Sequence, residues 1–257
     1  MPTCRGLCEE RMKNEPSVQA AIELGDLPDR IDAARSIFVL TGSGISAESG
    51  LPTFRGVGGL WRTHRVEELA SPAGFARDPR LVWTWYNERR HTHQGVEPSA
   101  AHLALAQVEA RSSDFTLATQ NVDSLHLRAG SRNVLELHGK LREAKCTVCD
   151  ARRPFEDGFD LDAIAHACGG MWRPDIVWFG EPLPGEVLAA AFAAASRADL
   201  MLVVGTSGMV QPAASLATKR NTPAYVVEIN PEDTALTPHV DRSIRARASD
   251  VLPALVT

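Results

Sequence analysis

No apolar run in this chain approaches the ~20 residues that a bilayer-spanning helix requires. The opening residues, MPTCRGLCEERMKNEPS, also lack the apolar core of a secretory signal. Both absences lead to the expectation of a cytoplasmic protein, with residues 1–15 as a flexible leader. Positive charge is not in excess either. A formal net charge of −5 gives no general attraction to nucleic acid or to an anionic membrane, and neither is expected as a partner. The five cysteines are an odd number, which argues against a disulfide framework and for a reducing compartment. Cys4 and Cys8 fall in the polar leader and read as free thiols. Internal repeats and low-complexity segments are missing as well.

What is there is a globular composition, 44% hydrophobic and 23% charged over 257 residues, enough for a large core plus a small domain. The chain is organised around residues 36–56, SIFVLTGSGISAESGLPTFRG. Ile37, Phe38, Val39 and Leu40 form the short continuous apolar run of a strand buried on both faces. Then Gly42-Ser43-Gly44-Ile45-Ser46-Ala47 spells G-x-G-x-x-A, the glycine spacing of a dinucleotide-binding turn. On that reading Gly42 supplies the tight turn, Gly44 admits a pyrophosphate and Ala47 lets the helix pack on its strand. Free amides at the helix start would face the phosphates. A dehydrogenase would continue with a full helix, a second strand and an acid roughly twenty residues on. Here Gly50-Leu51-Pro52 stops the helix early, and Phe54 and Arg55 follow instead. Hydride transfer is therefore disfavoured.

Residues 16–34 read as helix, broken at Gly-Asp-Leu-Pro. Between 57 and 98 lies a stretch dense in large side chains, divided into short helices by Pro72 and Pro79. An amphipathic helix over 99–111 leads to a strand at 115–118, which ends in Gln120-Asn121-Val122-Asp123. A strand at 134–137 ends at His138-Gly139. A cysteine-containing stretch fills 141–171, residues 172–181 are mostly extended, and a helix covers 186–198. Buried strands at 200–204 and 224–229 end in Gly205-Thr206-Ser207 and in Asn230, and Pro212 suits a helical first turn. Strands ending in small or polar residues, with helices between, predict an α/β fold with a doubly wound, parallel, Rossmann-like sheet. Its segments are 16–56, 99–140 and 172–257. A helical insertion, 57–98, and a zinc-ribbon-like insertion, 141–171, form a smaller second domain, with the ligand in the cleft between.

Five motifs in this order resemble the sirtuins, NAD-dependent protein lysine deacylases, over nearly everything from Pro28 on. They are Gly42-Ser43-Gly44-Ile45-Ser46 with Gly50-Leu51-Pro52-Thr53-Phe54-Arg55, then Gln120-Asn121-Val122-Asp123, His138-Gly139, Val177-Trp178-Phe179-Gly180-Glu181 and Gly205-Thr206-Ser207. The resemblance implies that NAD is a co-substrate and that acylated lysine in proteins is the partner. The products would be nicotinamide, 2′-O-acyl-ADP-ribose and free lysine. His138 would be the general base, with an unperturbed pKa of ~6.5 suited to neutral pH, and Asn121 would serve beside it. Asp123 and the Val122 backbone would bind the nicotinamide carboxamide, and Gln120 the ribose. Phe54 would cover that pocket, and Arg55 would meet phosphate or ribose. Gly205, Thr206 and Ser207 would form a second phosphate and ribose loop, with Asn230 on the adenosine ribose. Val177, Trp178, Phe179 and Gly180 would pair with the substrate peptide by strand addition. The remaining histidines of the helical insertion, His64, His91 and His93, read as solvated.

Two further places bear on substrate and metal. Tyr86 and Arg89 stand at i and i+3, so on a helix a phenol and a guanidinium share one face. Arg suits bidentate carboxylate binding, and in the sirtuins a Tyr-x-x-Arg here marks removal of succinyl and malonyl groups. Desuccinylation or demalonylation is thus expected beside deacetylation, with small Ala70 and Gly74 making room. Sirtuins also commonly carry a structural Zn²⁺ on two C-x-x-C pairs. Cys146 and Cys149 supply one pair and Cys168 half of the other, but Ala165 stands where the fourth cysteine would. His166 is offered instead, giving a Cys₃His set, against a His-x-Cys spacing too tight for the usual knuckle turn. Without metal, Phe155, Phe159 and Ile164 would have to hold the insertion by packing. Two alternatives to deacylation are ADP-ribosylation of protein and a non-catalytic NAD-binding sensor. The presence of both Asn121 and His138 weighs against the sensor.

Overall fold

The computed structural model describes residues 24–53, 66–149, 151–155, 158–218 and 224–256. The leader with Cys4 and Cys8, the start of the first expected helix, His64, and the lid residues Phe54 and Arg55 lie outside the described residues. In chain order the strands are β1 (Ile37–Thr41), β2 (Phe115–Thr119), β3 (Val134–Glu136), β4 (Gly139–Cys146), β5 (Arg152–Pro154), β6 (Trp172–Ile176), β7 (Leu200–Val204), β8 (Tyr225–Ile229) and β9 (Arg242–Ile244). The helices are α1 (Leu27–Ala33), α2 (Ser43–Ala47), α3 (Val66–Leu69), α4 (Pro72–Arg77), α5 (Pro79–His93), α6 (Ala100–Arg111), α7 (Leu125–Arg128), α8 (Gly185–Arg197), α9 (Ser215–Thr218) and α10 (Ala248–Val251).

The apolar runs pair into one six-stranded sheet of order β3-β2-β1-β7-β8-β9, and every pairing in it is parallel. Burial on both faces explains the runs. Ile37, Val39, Leu200, Leu202 and Val204 pack on one side with Leu105 and Val108 of α6. Phe38, Leu40, Met201 and Val203 point the other way, onto Ala191, Ala194 and Ala195 of α8. Each large aliphatic buried in this way contributes about 1.5–3 kcal/mol. β9 is a three-residue edge strand beyond the elements expected from the sequence, and α9 begins at Ser215, so Pro212 sits in the turn before it.

β4, β5 and β6 form a separate antiparallel sheet of order β5-β4-β6. The segment from Trp172, expected with the large sheet, pairs here instead, with Cys146 opposite Trp172 and Gly139 opposite Ile176. Gly139 permits the close start: its φ is +84°, and a Cβ there would lie 2.1 Å from the Asp175 carbonyl. The two insertions join as one unit through α5. Trp83 Nε1 donates to the Trp172 carbonyl at 2.8 Å, Asn87 bonds both backbone groups of Phe159, and the Trp83 ring stacks on Phe159 at 3.9 Å. Pro72 and Pro79 open α4 and α5 as expected, behind Ser71 and Asp78, whose side chains accept from Gly74 N and Leu81 N.

Candidate active site

Outward from β1 the chain places β2 and β3; outward from β7 it places β8 and β9. Between β1 and β7 lies the topological switch point, where open α/β sheets hold ligands beyond their carboxyl strand ends. A cavity of about 780 Å³ opens there and reaches the small unit, lined by Gly42, Gly44, Gln120, Asn121, His138 and Tyr86 among others. Five strand-end segments expected in the site, after β1, β2, β3, β7 and β8, all contribute to its wall.

Two glycine loops meet at the switch point. Gly42 N donates to the Val204 carbonyl at 3.0 Å and Gly44 N to the Gly205 carbonyl at 2.8 Å. A Cβ on Gly44 would lie 2.8 Å from both the Cα and the carbonyl oxygen of Gly205, and one on Gly205 would lie 2.6 Å from Ile45 N. The missing side chain of Gly44 lets one loop cross the other, and its amide is engaged by the Gly205 carbonyl. Ile45 N is also spent, on the Gly42 carbonyl. Ser43, Ala47, Thr206 and Ser207 line the cavity around this crossing.

Gln120 ties three segments together. Its side-chain amide donates to Thr206 Oγ1 at 2.8 Å, and its backbone carbonyl lies 2.9 Å from His138 Nδ1. A carbonyl only accepts, so Nδ1 carries the hydrogen and Nε2 keeps its lone pair. Burial lowers the His138 pKa from its ordinary value, against the opposing hydrogen bond to Gln120. The ring is therefore neutral at neutral pH, in the tautomer a base requires.

Asn121 is buried; its Nδ2 donates to the Gly42 carbonyl and to Ser46 Oγ, both at 3.0 Å. Ser46 Oγ in turn donates to Asp123 Oδ2 at 2.7 Å, while Asp123 Oδ1 accepts from Leu125 N. Burial pushes the Asp123 carboxyl up, against these hydrogen bonds. Val122 lines the cavity, but Asp123 faces a small separate pocket behind it. The carboxylate is thus linked to Asn121 through Ser46.

At the far end, Asn230 lines the cavity and bonds the Thr206 carbonyl at 3.1 Å. Beneath it lies Glu228, fully buried, which accepts from Thr234 Oγ1, Thr237 Oγ1, Ser243 Oγ and Arg245 Nη1. These bonds shape residues 230–235, which form that wall.

Toward the small unit, Ala70, Tyr86 and Arg89 line the cavity together. Gly74 does not; a Cβ there would sit 2.3 Å from the Glu68 carbonyl, so it serves the contact between α3 and α4. His93, expected to be solvated, is half-buried, and burial plus the nearby Arg89 charge lower its pKa to about 4. The segment 177–180 lines the cavity with part of its backbone already engaged. The amides of Val177, Trp178, Phe179 and Glu181 already donate to His138 O, Glu181 Oε2, Ala70 O and Trp178 O. An added strand would have to use the Gly180 amide and the carbonyls.

The Sir2 family pattern matches residues 42–212. The NAD-dependent protein deacylase 2 of Pyrobaculum aerophilum is 49% identical over 236 residues, covering 90% of this chain and 94% of that protein. The chain belongs to the Sir2 family. The NAD-dependent protein deacylase 1 of Archaeoglobus fulgidus is 46% identical, covering 88% and 94%. Among solved structures, a Sir2 homologue in complex with NAD shares 45% identity at a TM-score of 0.81, over 90% of this chain and 91% of the other. A Sir2 homologue mutant with 2′-O-acetyl-ADP-ribose gives the same identity and TM-score, over 90% and 94%.

The four residues expected to hold zinc converge, despite the tight His-x-Cys spacing. The ligand atoms of Cys146, Cys149, His166 and Cys168 all lie within 4.8 Å of one another. Cys146 and Cys168 sulfurs are 3.4 Å apart, and His166 Nδ1 is 3.0 Å from Cys168 Sγ and 3.7 Å from Cys149 Sγ. Tetrahedral zinc with bonds of about 2.0–2.3 Å sets its ligands roughly 3.5–3.8 Å apart; these separations, 3.0–3.7 Å with all four atoms within 4.8 Å, bracket that spacing, so the set is compatible with this ion. A turn makes this possible: His166 N donates to the Gly170 carbonyl, and Gly169, at φ +86°, reverses the chain. Sequence reasoning passed over Glu228, although an acid inside the apolar run of β8 is a signal in itself. It also passed over the buried Arg173, which bonds Glu181 through both terminal nitrogens.

Proposed function

We propose that this chain is an NAD-dependent protein lysine deacylase with His138 as its general base. The observation that carries the reading is the His138–Gln120 pair, which leaves Nε2 basic on the wall of a cavity built from both glycine loops. When bound, NAD supplies an activated ribose carbon with nicotinamide as its leaving group. The residues fit that group. Ser43, Ala47, Thr206 and Ser207 flank the loop crossing and would meet the phosphates, and Asn230 would meet the adenosine ribose. Gln120 and Asn121 would hold the nicotinamide ribose, with Asp123 orienting Asn121 through Ser46. His138 Nε2 would take a proton from a ribose hydroxyl and so prepare it to capture the acyl carbon.

The acyl-lysine would enter past Val177, Trp178, Phe179 and Gly180, with its acyl group toward Tyr86 and Arg89. Burial raises the Tyr86 pKa to about 12, so its hydroxyl remains a donor. A neutral donor next to a guanidinium suits the terminal carboxylate of a succinyl or malonyl group. Zn²⁺ would be held by Cys146, Cys149, His166 and Cys168, and would pin β4 to the turn before β6; no catalytic step depends on it. The reading is tested by kcat/KM on acetyl- and succinyl-lysine peptides, for wild type and Arg89→Met. A loss of tenfold or more confined to the succinyl peptide supports it. Equal losses on both peptides sink the carboxylate role.

A further inference from the structure

Tyr86 does not stand alone in the wall of the acyl pocket. The Trp178 indole N–H donates to the Tyr86 hydroxyl at 2.9 Å, and the two aromatic residues are buried. A phenol has one proton and two lone pairs. With a lone pair taken by Trp178, the hydroxyl proton turns away from the indole, toward the side where Tyr86 borders the cavity. Trp178 is itself held from behind. The Arg173 guanidinium lies 3.4 Å from the centre of its ring and bonds the Ile176 carbonyl and Glu181. Glu181 returns to accept from the Trp178 amide at 2.9 Å.

We infer that Trp178 is a positioning residue for acyl specificity, aiming the Tyr86 proton at the terminal carboxylate of the acyl chain. Resting on the acyl-pocket reading above, this assigns the indole N–H a function distinct from the backbone's role in peptide binding. A phenylalanine in the same place keeps a ring against Arg173 but loses the N–H, so the Tyr86 hydroxyl is free to rotate.

The test is a double-mutant cycle on the ratio of kcat/KM for succinyl- over acetyl-lysine peptides, using Trp178→Phe, Tyr86→Phe and the pair. Trp178→Phe is expected to lower the ratio by about fivefold to tenfold, mainly through KM for the succinyl peptide, less than the full value of a hydrogen bond to a charged group because the freed hydroxyl can still rotate into place. Since the indole acts through the hydroxyl, the double variant should show the ratio of Tyr86→Phe alone. Losses that multiply in the double variant, or a Trp178→Phe ratio equal to wild type, overturn the inference while leaving Arg89 its role. A Tyr86→Phe ratio equal to wild type overturns the acyl-pocket reading itself, and this inference with it.

Discussion

His138 Nδ1 lies 2.9 Å from the backbone carbonyl of Gln120, the residue whose side chain also bonds Thr206 across the switch point. One residue thus fixes the tautomer of His138, the proposed base, and joins the loops after β2 and β7. The pH dependence follows. Burial depresses the His138 pKa below its ordinary value of ~6.5. The base works when neutral, so activity is lost only as pH falls through that depressed value. In a kcat/KM profile on an acetyl-lysine peptide, the acid limb should lie below ~6.5; a midpoint above 7 would contradict the assignment.

Gly44→Ala probes the loop crossing. Its Cβ would meet the Gly205 backbone at 2.8 Å, which cannot swing away as a flexible side chain could. Overpacking of this kind costs about 1–3 kcal/mol, and moving the two loops apart should raise KM for NAD several-fold. Urea unfolding and initial rates read the two effects separately.

Glu228→Gln should loosen the adenosine end. Four donors converge on this buried carboxylate, among them Arg245 Nη1 at 2.9 Å. Replacing one oxygen by an amide leaves some of them facing another donor, at a cost of about 2–3 kcal/mol. The wall at 230–235 is remote from the acyl pocket, so KM for NAD should rise while KM for the peptide stays level. A peptide effect of equal size would show that Glu228 supports the whole molecule instead.

Much of this was legible beforehand, for a physical reason. Strands β1, β2, β7 and β8 are buried on both faces, so their residues are mostly apolar, with Thr116 and Glu228 as interior exceptions, and the loops beyond them carry small or polar side chains. β4 hid because its residues, GKLREAKC, alternate between buried and half-buried positions and carry four charges. The contacts of Gly44 and Asp123 hid for another reason: each is made to a neighbour distant in the chain, Gly205 and Ser46, which spacing alone does not reveal. The shared face of Tyr86 and Arg89 was readable, and both line the cavity, whereas the Trp178 bond to the Tyr86 hydroxyl spans 92 positions.

Metal content is the next check. One zinc per chain is expected by elemental analysis, with His166→Ala reducing it. Chelation should lower the Tm by roughly 10 °C or more, since a structural zinc site is worth several kcal/mol and each shifts Tm by about 2–4 °C in a chain of this size. A metal-free protein with an unchanged Tm under chelator would leave the Cys₃His set as a thiol cluster.

The most direct measurement is a product balance. NAD and an acetyl-lysine peptide are incubated with wild type and with His138→Ala, and nicotinamide, deacetylated peptide and acetyl-ADP-ribose are quantified by mass spectrometry. Equal amounts of the three are expected from wild type, and His138→Ala should form deacetylated peptide at least ~10²-fold more slowly. Deacetylated peptide without acetyl-ADP-ribose, or an undiminished rate in the variant, would contradict the account.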